Sequence, residues 1–399
     1  MSHIMQKAYP LSWLLLLASL TALGPLSIDM YLPALPQMAQ DLHSTPQKIA
    51  NSLPAYFFGL AIGQLIYGPI SDRIGRKKPL YFGLTLYILG CLLCVYANSD
   101  WGLIIARITQ ALGGCVGVVM ARAAIRDRLD VEGSAQAFSS MMIVMGIAPV
   151  IAPTLGAWIL VFFSWHMIFQ CLALIGLICL VNVHFFFQDT LAVEKRLHLN
   201  AKQVVVLYGS ILQDLRFTFP MLCGCLSGGA MFVYINSATV ILMGQYHLSQ
   251  QQFAYVFGIN ALGITLMSSI NKRCANRLSV SQRLVLGGVI QFLGTLLLIV
   301  AASFEHFPLW GVMLGMFIVV SSIGLTGPNA MALAMAEQGA RAGTASAIMG
   351  SMQFMTGLIG GVILNFLIWG ELLNMALVML LCSGGALMAM YQVVKRRAV

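Results

Sequence analysis

The sequence predicts an all-α polytopic membrane protein with twelve transmembrane helices arranged as two six-helix bundles. Three observations predict it. Of the 399 residues, 59% are hydrophobic and only 9% charged, against about 25% charged in soluble domains, and mean hydropathy is +0.87. Apolar runs near the roughly 20 residues that a span needs recur along the chain. The basic residues fall in alternate gaps between those runs.

On that length the spans fall near 11–33, 50–70, 79–97, 101–121, 136–160 and 165–187, then 217–243, 251–271, 283–303, 308–335, 343–367 and 371–391. Residues 11–23 have the apolar character of a signal-peptide core, but no small-residue cleavage site follows. Gly24 to Pro33 instead continues the first span. A more polar stretch interrupts the series, so we expect an N-terminal bundle over 1–187, a cytoplasmic linker over 188–215 and a C-terminal bundle over 216–399. Arg273-Cys274-Ala275-Asn276-Arg277 follows the eighth span where Asp72 to Arg76 follows the second, which supports an internal repeat.

Charge sets the orientation. With a cytoplasmic N-terminus, all but two of the 22 basic residues fall on the cytoplasmic side; the exceptions are Lys48, outside, and Arg107, within a span. Basic residues beside spans stay inside, so both termini are expected on the cytoplasmic side. The formal charge of +9 then reflects topology rather than a nucleic-acid partner. Cys91 and Cys94 share a helix face without the His or acid partners of a metal site. We expect no metal and no disulfide framework from the nine cysteines, which lie mostly in apolar runs. No Walker-type phosphate loop or Ser/His/Asp constellation is present, so neither ATP drive nor an enzyme is expected.

Of the 13 acids only Asp29 falls within a span, and Arg107 is the only cation there. Intramembrane charges cost about 2.5–3.5 kcal/mol on insertion scales and face a cavity or a partner. The helical rise puts both in the outer half of the membrane, which suggests a shared neighbourhood. They serve transport or form a static ion pair.

Residues Gly68 to Leu80 pack five charges between two apolar spans, a short loop that forces an antiparallel hairpin. Asp72 beside Arg73 and Arg76 makes a charge cluster at a helix end, and Gly68 and Gly75 allow close approach and turning. The order G-x-x-x-D-R-x-G-R-K resembles the loop between the second and third helices of the major facilitator superfamily. Leu103-x-x-x-Arg107-x-x-Gln110-Ala111-x-Gly113 resembles that family's fourth-helix motif, with Ala111 in place of a glycine. Residues 26–36, Leu-Ser-Ile-Asp-Met-Tyr-Leu-Pro-Ala-Leu-Pro, are similar to the first helix of the Bcr/CflA subgroup of drug:proton antiporters, and Ser164-Trp165-His166 fits the same subgroup. In the fifth span, Pro149 and Pro153 break hydrogen bonds on one face, while Ala152 and Gly156 admit a close neighbour. That pattern resembles the antiporter motif of exporters, with alanine at 152; an ordinary proline kink is the alternative.

The resemblance implies a proton-coupled secondary active exporter of amphipathic drugs, chloramphenicol- or bicyclomycin-like, working by alternating access in the bacterial inner membrane. It implies proton coupling through Asp29 and Arg107, and a conformational latch of Gly68, Asp72, Arg73, Gly75 and Arg76. Tyr31, Tyr56, Met145, Tyr234, Asn236, Asn260 and Gln353 are the candidates to line a substrate cavity, made adaptable by 24 Met and 21 Phe. The expected partners are a small-molecule drug, H+ and the lipid bilayer, with a monomeric chain and the proton gradient instead of a cofactor. Export of a metabolite such as an amino acid or small peptide is the alternative.

Overall fold

The computed structural model describes residues 11–129, 131–196, 200–304 and 307–397. Lys7, Asp130 and Glu305 of the charge map lie outside them. The first span is not a straight rod. Helix α1 (Leu11–Asp29) gives way to a 3-10 turn (Leu32–Ala34) and then α2 (Leu35–Asp41). Pro33 and Pro36 have no N–H to donate, so an unbroken helical ladder cannot pass through them. The short α3 (Pro46–Ala50), whose cap Thr45 accepts the Lys48 N–H, leads into α4 (Ser52–Ile74). Then come α5 (Lys77–Val95), α6 (Asp100–Arg128), α7 (Val131–Phe162) and α8 (His166–Phe186).

A shorter helix, α9 (Ala201–Leu212), precedes the second set. That set is α10 (Leu215–Thr239), which runs into a π-helical turn (Val240–Gln245), α11 (Gln250–Cys274), α12 (Val280–Ala302), α13 (Leu309–Ser321) with α14 (Ile323–Met335), α15 (Ala342–Leu364) and α16 (Glu371–Arg397). Helices α11 and α12 start alike. Ser249 and Ser279 accept the N–H of Gln252 and Gln282, whose side chains reach back to the cap N–H, the reciprocal pairing of a capping box.

Among the described residues, eleven segments are long and apolar enough to cross a membrane, and α7, at 32 residues, is the twelfth. The all-α, twelve-span class stands. Helix α6 runs on to Arg128 and α16 to Arg397, past the apolar runs that ended at 121 and 391. Hydropathy marks the membrane, whereas a helix continues while its residues favour it, as Ala and Arg do.

The linker stretch contains α9, which hydropathy passed over because twelve residues cannot span a bilayer. Its Tyr208 hydroxyl donates to the Leu65 carbonyl of α4 at 2.9 Å, and Ile211 is fully buried. The two bundles meet where α4 packs on α15 and α7 packs on α11. At the end away from the basic loops, Asn365 donates to Asn51 at 2.8 Å and Gln47 to Glu371 at 3.3 Å. The Thr239 hydroxyl donates to the Leu32 carbonyl at 3.3 Å.

Candidate functional site

Asp29 ends α1 and is only 3% exposed, and its Oδ1 has no hydrogen-bond partner. A carboxylate at a helix C-terminus also faces the negative end of the helix dipole. Across the seam, within electrostatic range of the acid, stands Tyr234 of α10. The Tyr234 hydroxyl accepts from Asn260 Nδ2 of α11 at 2.7 Å, and its ring stacks on Phe257 with centroids 5.5 Å apart. Sequence reading proposed Tyr234 and Asn260 separately; the structure joins them by a hydrogen bond between α10 and α11.

Arg107 occupies a different place. It is fully buried, and its guanidinium carbon lies 4.3 Å from the Tyr31 ring centroid and 4.2 Å from that of Tyr56. Phe169 of α8 adds a third ring at 5.9 Å. Such geometry is a cation–π cage. One arginine nitrogen donates to Gln110 Oε1 at 2.6 Å, and Gln110 Nε2 donates to Cys91 Sγ at 3.1 Å. Nε and the second terminal nitrogen have no partner. Among the described residues no ion pair joins Arg107 to Asp29, so the static pair that the sequence left open as an alternative is not formed. Helical rise gives height, not azimuth. Tyr31, two residues beyond Asp29, lies against Arg107 and hydrogen-bonds Ser52 at 2.9 Å.

The other cavity candidates scatter. Tyr31 and Tyr56 are packed around the arginine inside the first bundle. Asn236 is buried with an unpartnered Oδ1, and its amide nitrogen lies beside Gly361 at the α4–α15 seam. Gln353 lies against Gly228, between α15 and α10. The Met145 side chain lies outside the described residues. Sequence reading missed Gln64, which is 4% exposed and abuts Gly350 across the same seam. A glutamine in the middle of an apolar run was the available signal.

Helix α7 carries Pro149 and Pro153 inside its ladder. Ala152 is fully buried. Gly156 lies against the Met30 carbonyl so closely that any Cβ would overlap it. Gly156 therefore lets α7 lie directly against the chain just beyond Asp29. On its other side, the Val150 carbonyl faces Gly258 of α11 at 3.7 Å from an ideal Cβ.

The loop between α4 and α5 is organised by one residue. Arg76, 6% exposed, donates to Asp72 Oδ1 and to Ser71 Oγ at 2.6 Å each, and to both oxygens of Asp127, at 2.9 and 3.3 Å. Burial alone would lower its pKa, but the hydrogen bonds and charges of Asp127 and Asp72 outweigh that and hold it above the usual value. The Arg76 N–H donates to Asp189 Oδ1 at 3.0 Å, and Thr190 donates to Asp127 at 2.8 Å. Asp127 and Asp189 are acids outside the spans that the sequence did not link to Arg76. Gly75 has φ 91 and ψ 175, and a Cβ there would overlap Asp189 Oδ2. Two expectations change here. Arg73 is exposed and, among the described residues, makes no ion pair. Nothing lies within 4 Å of a Cβ at Gly68, so no close approach needs that glycine. Tyr208 of α9 packs beside this cluster, and burial, with the nearby Asp72 charge, pushes its pKa up to about 12.

Among the described residues no group of three or more His, Cys, Asp or Glu could hold a metal ion. Buried polar groups facing one another across the seam of two membrane-spanning bundles define a membrane transporter. The chain belongs to the Major Facilitator Superfamily, whose family model matches residues 17–362. It is 35% identical over 347 residues, covering 86% of each chain, to an uncharacterized MFS-type transporter, YdgK, of Bacillus subtilis. A bicyclomycin resistance protein homolog of Haemophilus influenzae is 29% identical over 349 residues (88% of this chain, 87% of that one). The multidrug resistance protein MdtL of Klebsiella pneumoniae is 28% identical over 337 residues, 84% and 83% of the two chains. These relatives agree with the Bcr/CflA resemblance of residues 26–36. The fold matches the D-xylose-proton symporter with a TM-score of 0.69 at 14% identity, covering 94% of this chain and 95% of that one. It also matches a mutant of the nucleoside transporter NupG, again at 0.69, with 13% identity and coverage of 96% and 99%.

Proposed function

We propose that this protein is a proton-coupled exporter of amphipathic drugs in the inner membrane, with both termini cytoplasmic, acting as a monomer by alternating access. The observation that carries the reading is Asp29: a buried acid with an unpartnered oxygen at the end of α1, within electrostatic range of Tyr234 of the second bundle. An unneutralised charge in that position is costly, so the acid is suited to exchange a proton for a substrate as the bundles rock. Drug and proton would compete for the same side of the seam. The named resistance activities of the relatives support a drug rather than a metabolite as cargo.

Arg107, in its aromatic cage, would keep the first bundle rigid around the proton site rather than pair with the acid. The Arg76 cluster would act as the latch at the basic end, closing on Asp127 and Asp72 in one state and loosening in the other. Energy comes from the proton gradient, without a cofactor. The test is substrate-induced proton release in energised inside-out vesicles, with wild type beside Asp29→Asn. Several drug classes should discharge the gradient in wild type and none in the variant. Normal proton-driven efflux by Asp29→Asn would sink the assignment, and a response only to amino acids or dipeptides would replace the drug with a metabolite.

A further inference from the structure

Helices α4 and α5 are consecutive and antiparallel, yet each packs far more on α6 than on the other. Small residues draw them there: Gly63 of α4 sits on Cys115, and Gly83 of α5 sits on Val116. Pulling both helices onto a third opens a wedge between them on the outer, lipid-facing side. A cavity of about 450 Å³ fills that wedge, with Ile66, Ile70 and Ile74 on one wall, Phe82 on the other and Leu112 of α6 as its floor. Ile70 and Phe82 are 42% and 66% exposed, which in a spanning segment means exposed to acyl chains.

Apart from the Tyr67 side chain the wedge is apolar up to its basic end, where Lys78 lies. The neighbouring cations are already engaged. Lys77 Nζ donates to the His184 carbonyl at 3.1 Å, and Arg76 is saturated by Asp72 and Asp127. Lys78 is exposed and, among the described residues, has no acid within ion-pair distance. Arg73, on the last turn of α4, adds a second uncompensated charge to the same loop.

We propose that this wedge binds one anionic phospholipid of the leaflet at the basic end, with an acyl chain between α4 and α5 and the phosphate at Lys78. Shape selects the chain and charge complementarity selects the headgroup. A single lysine near an anionic headgroup corresponds to roughly a fivefold preference. The bound headgroup sits two residues from Arg76, so the lipid shares its loop with the proposed latch.

The test uses the purified full chain in detergent and native mass spectrometry with equimolar phosphatidylglycerol and phosphatidylcholine. Wild type should retain phosphatidylglycerol about fivefold over phosphatidylcholine. Lys78→Gln should erase that preference, whereas Lys395→Gln, which removes the same charge from α16, should not. Ile70→Trp fills the wedge from a lipid-facing position and should reduce retention of both lipids at wild-type elution and melting temperature. If that variant does not fold, Ile66→Trp, one turn away, replaces it. Equal retention of the two lipids by wild type would overturn the proposal, as would a preference that survives Lys78→Gln or undiminished retention in a folded wedge-filling variant. Retention that depends on the wedge but ignores Lys78 would mark a site for neutral apolar molecules instead, and would equally defeat an anionic-lipid site.

Discussion

Arg107 is held by ring faces and one amide, not by an acid. A guanidinium is flat and weakly hydrated and stacks on two rings at once; an ammonium cannot. Arg107→Lys should therefore lower stability by about 2 kcal/mol, read as a lower melting temperature in detergent. The absence of an ion pair to Asp29 gives a sharper expectation. In a double-mutant cycle of Arg107→Gln and Asp29→Asn, the stability effects should add to within about 0.5 kcal/mol. A paired arrangement would show strong coupling, because removing one partner strands the other. Sequence reading located both charges because charge is rare inside spans. It could not assign the rings that enclose Arg107, which come from segments remote in the chain.

Among elements, the α4–α5 turn makes the clearest case. Gly75 holds a backbone conformation nearly restricted to glycine, at a cost of about 1–3 kcal/mol for other residues, and its missing Cβ makes room for Asp189. Gly75→Ala should destabilise by at least that amount on thermal unfolding. Gly68 offers the contrast. It lies inside α4 with open space around it, so Gly68→Ala should stabilise by about 0.5–1 kcal/mol through helix propensity. The motif named both glycines alike. The positive φ at the end of α4 and the packing of Asp189, more than a hundred residues away, separate them.

Across the whole molecule, the two bundles are joined at the end opposite the basic loops by Asn51 with Asn365 and Gln47 with Glu371. The proposed alternating access requires those contacts to part. In a background without the native cysteines, an Asn51→Cys, Asn365→Cys chain should stop transporting when oxidised and recover on reduction. Transport at the wild-type rate while cross-linked would show that the bundles do not separate there.

The sequence by itself determined the membrane class, the number of spans and the two charges that do not belong in them. Each follows from a local property: the length of an apolar run, its lack of charge, or a loop motif within a dozen residues. Helix α9 escaped because it is apolar but too short to span. The tertiary structure alone decided what faces what. It brought Asp29 within electrostatic range of Tyr234, enclosed Arg107 in rings from α4, α8 and the turn after α1, and placed Asp127 and Asp189 on Arg76. It also decided that α4 and α5 would lean on α6 and leave a wedge between them. Rise per residue and hydropathy fix depth along a helix, but azimuth and neighbours are settled only when small residues let particular helix faces meet.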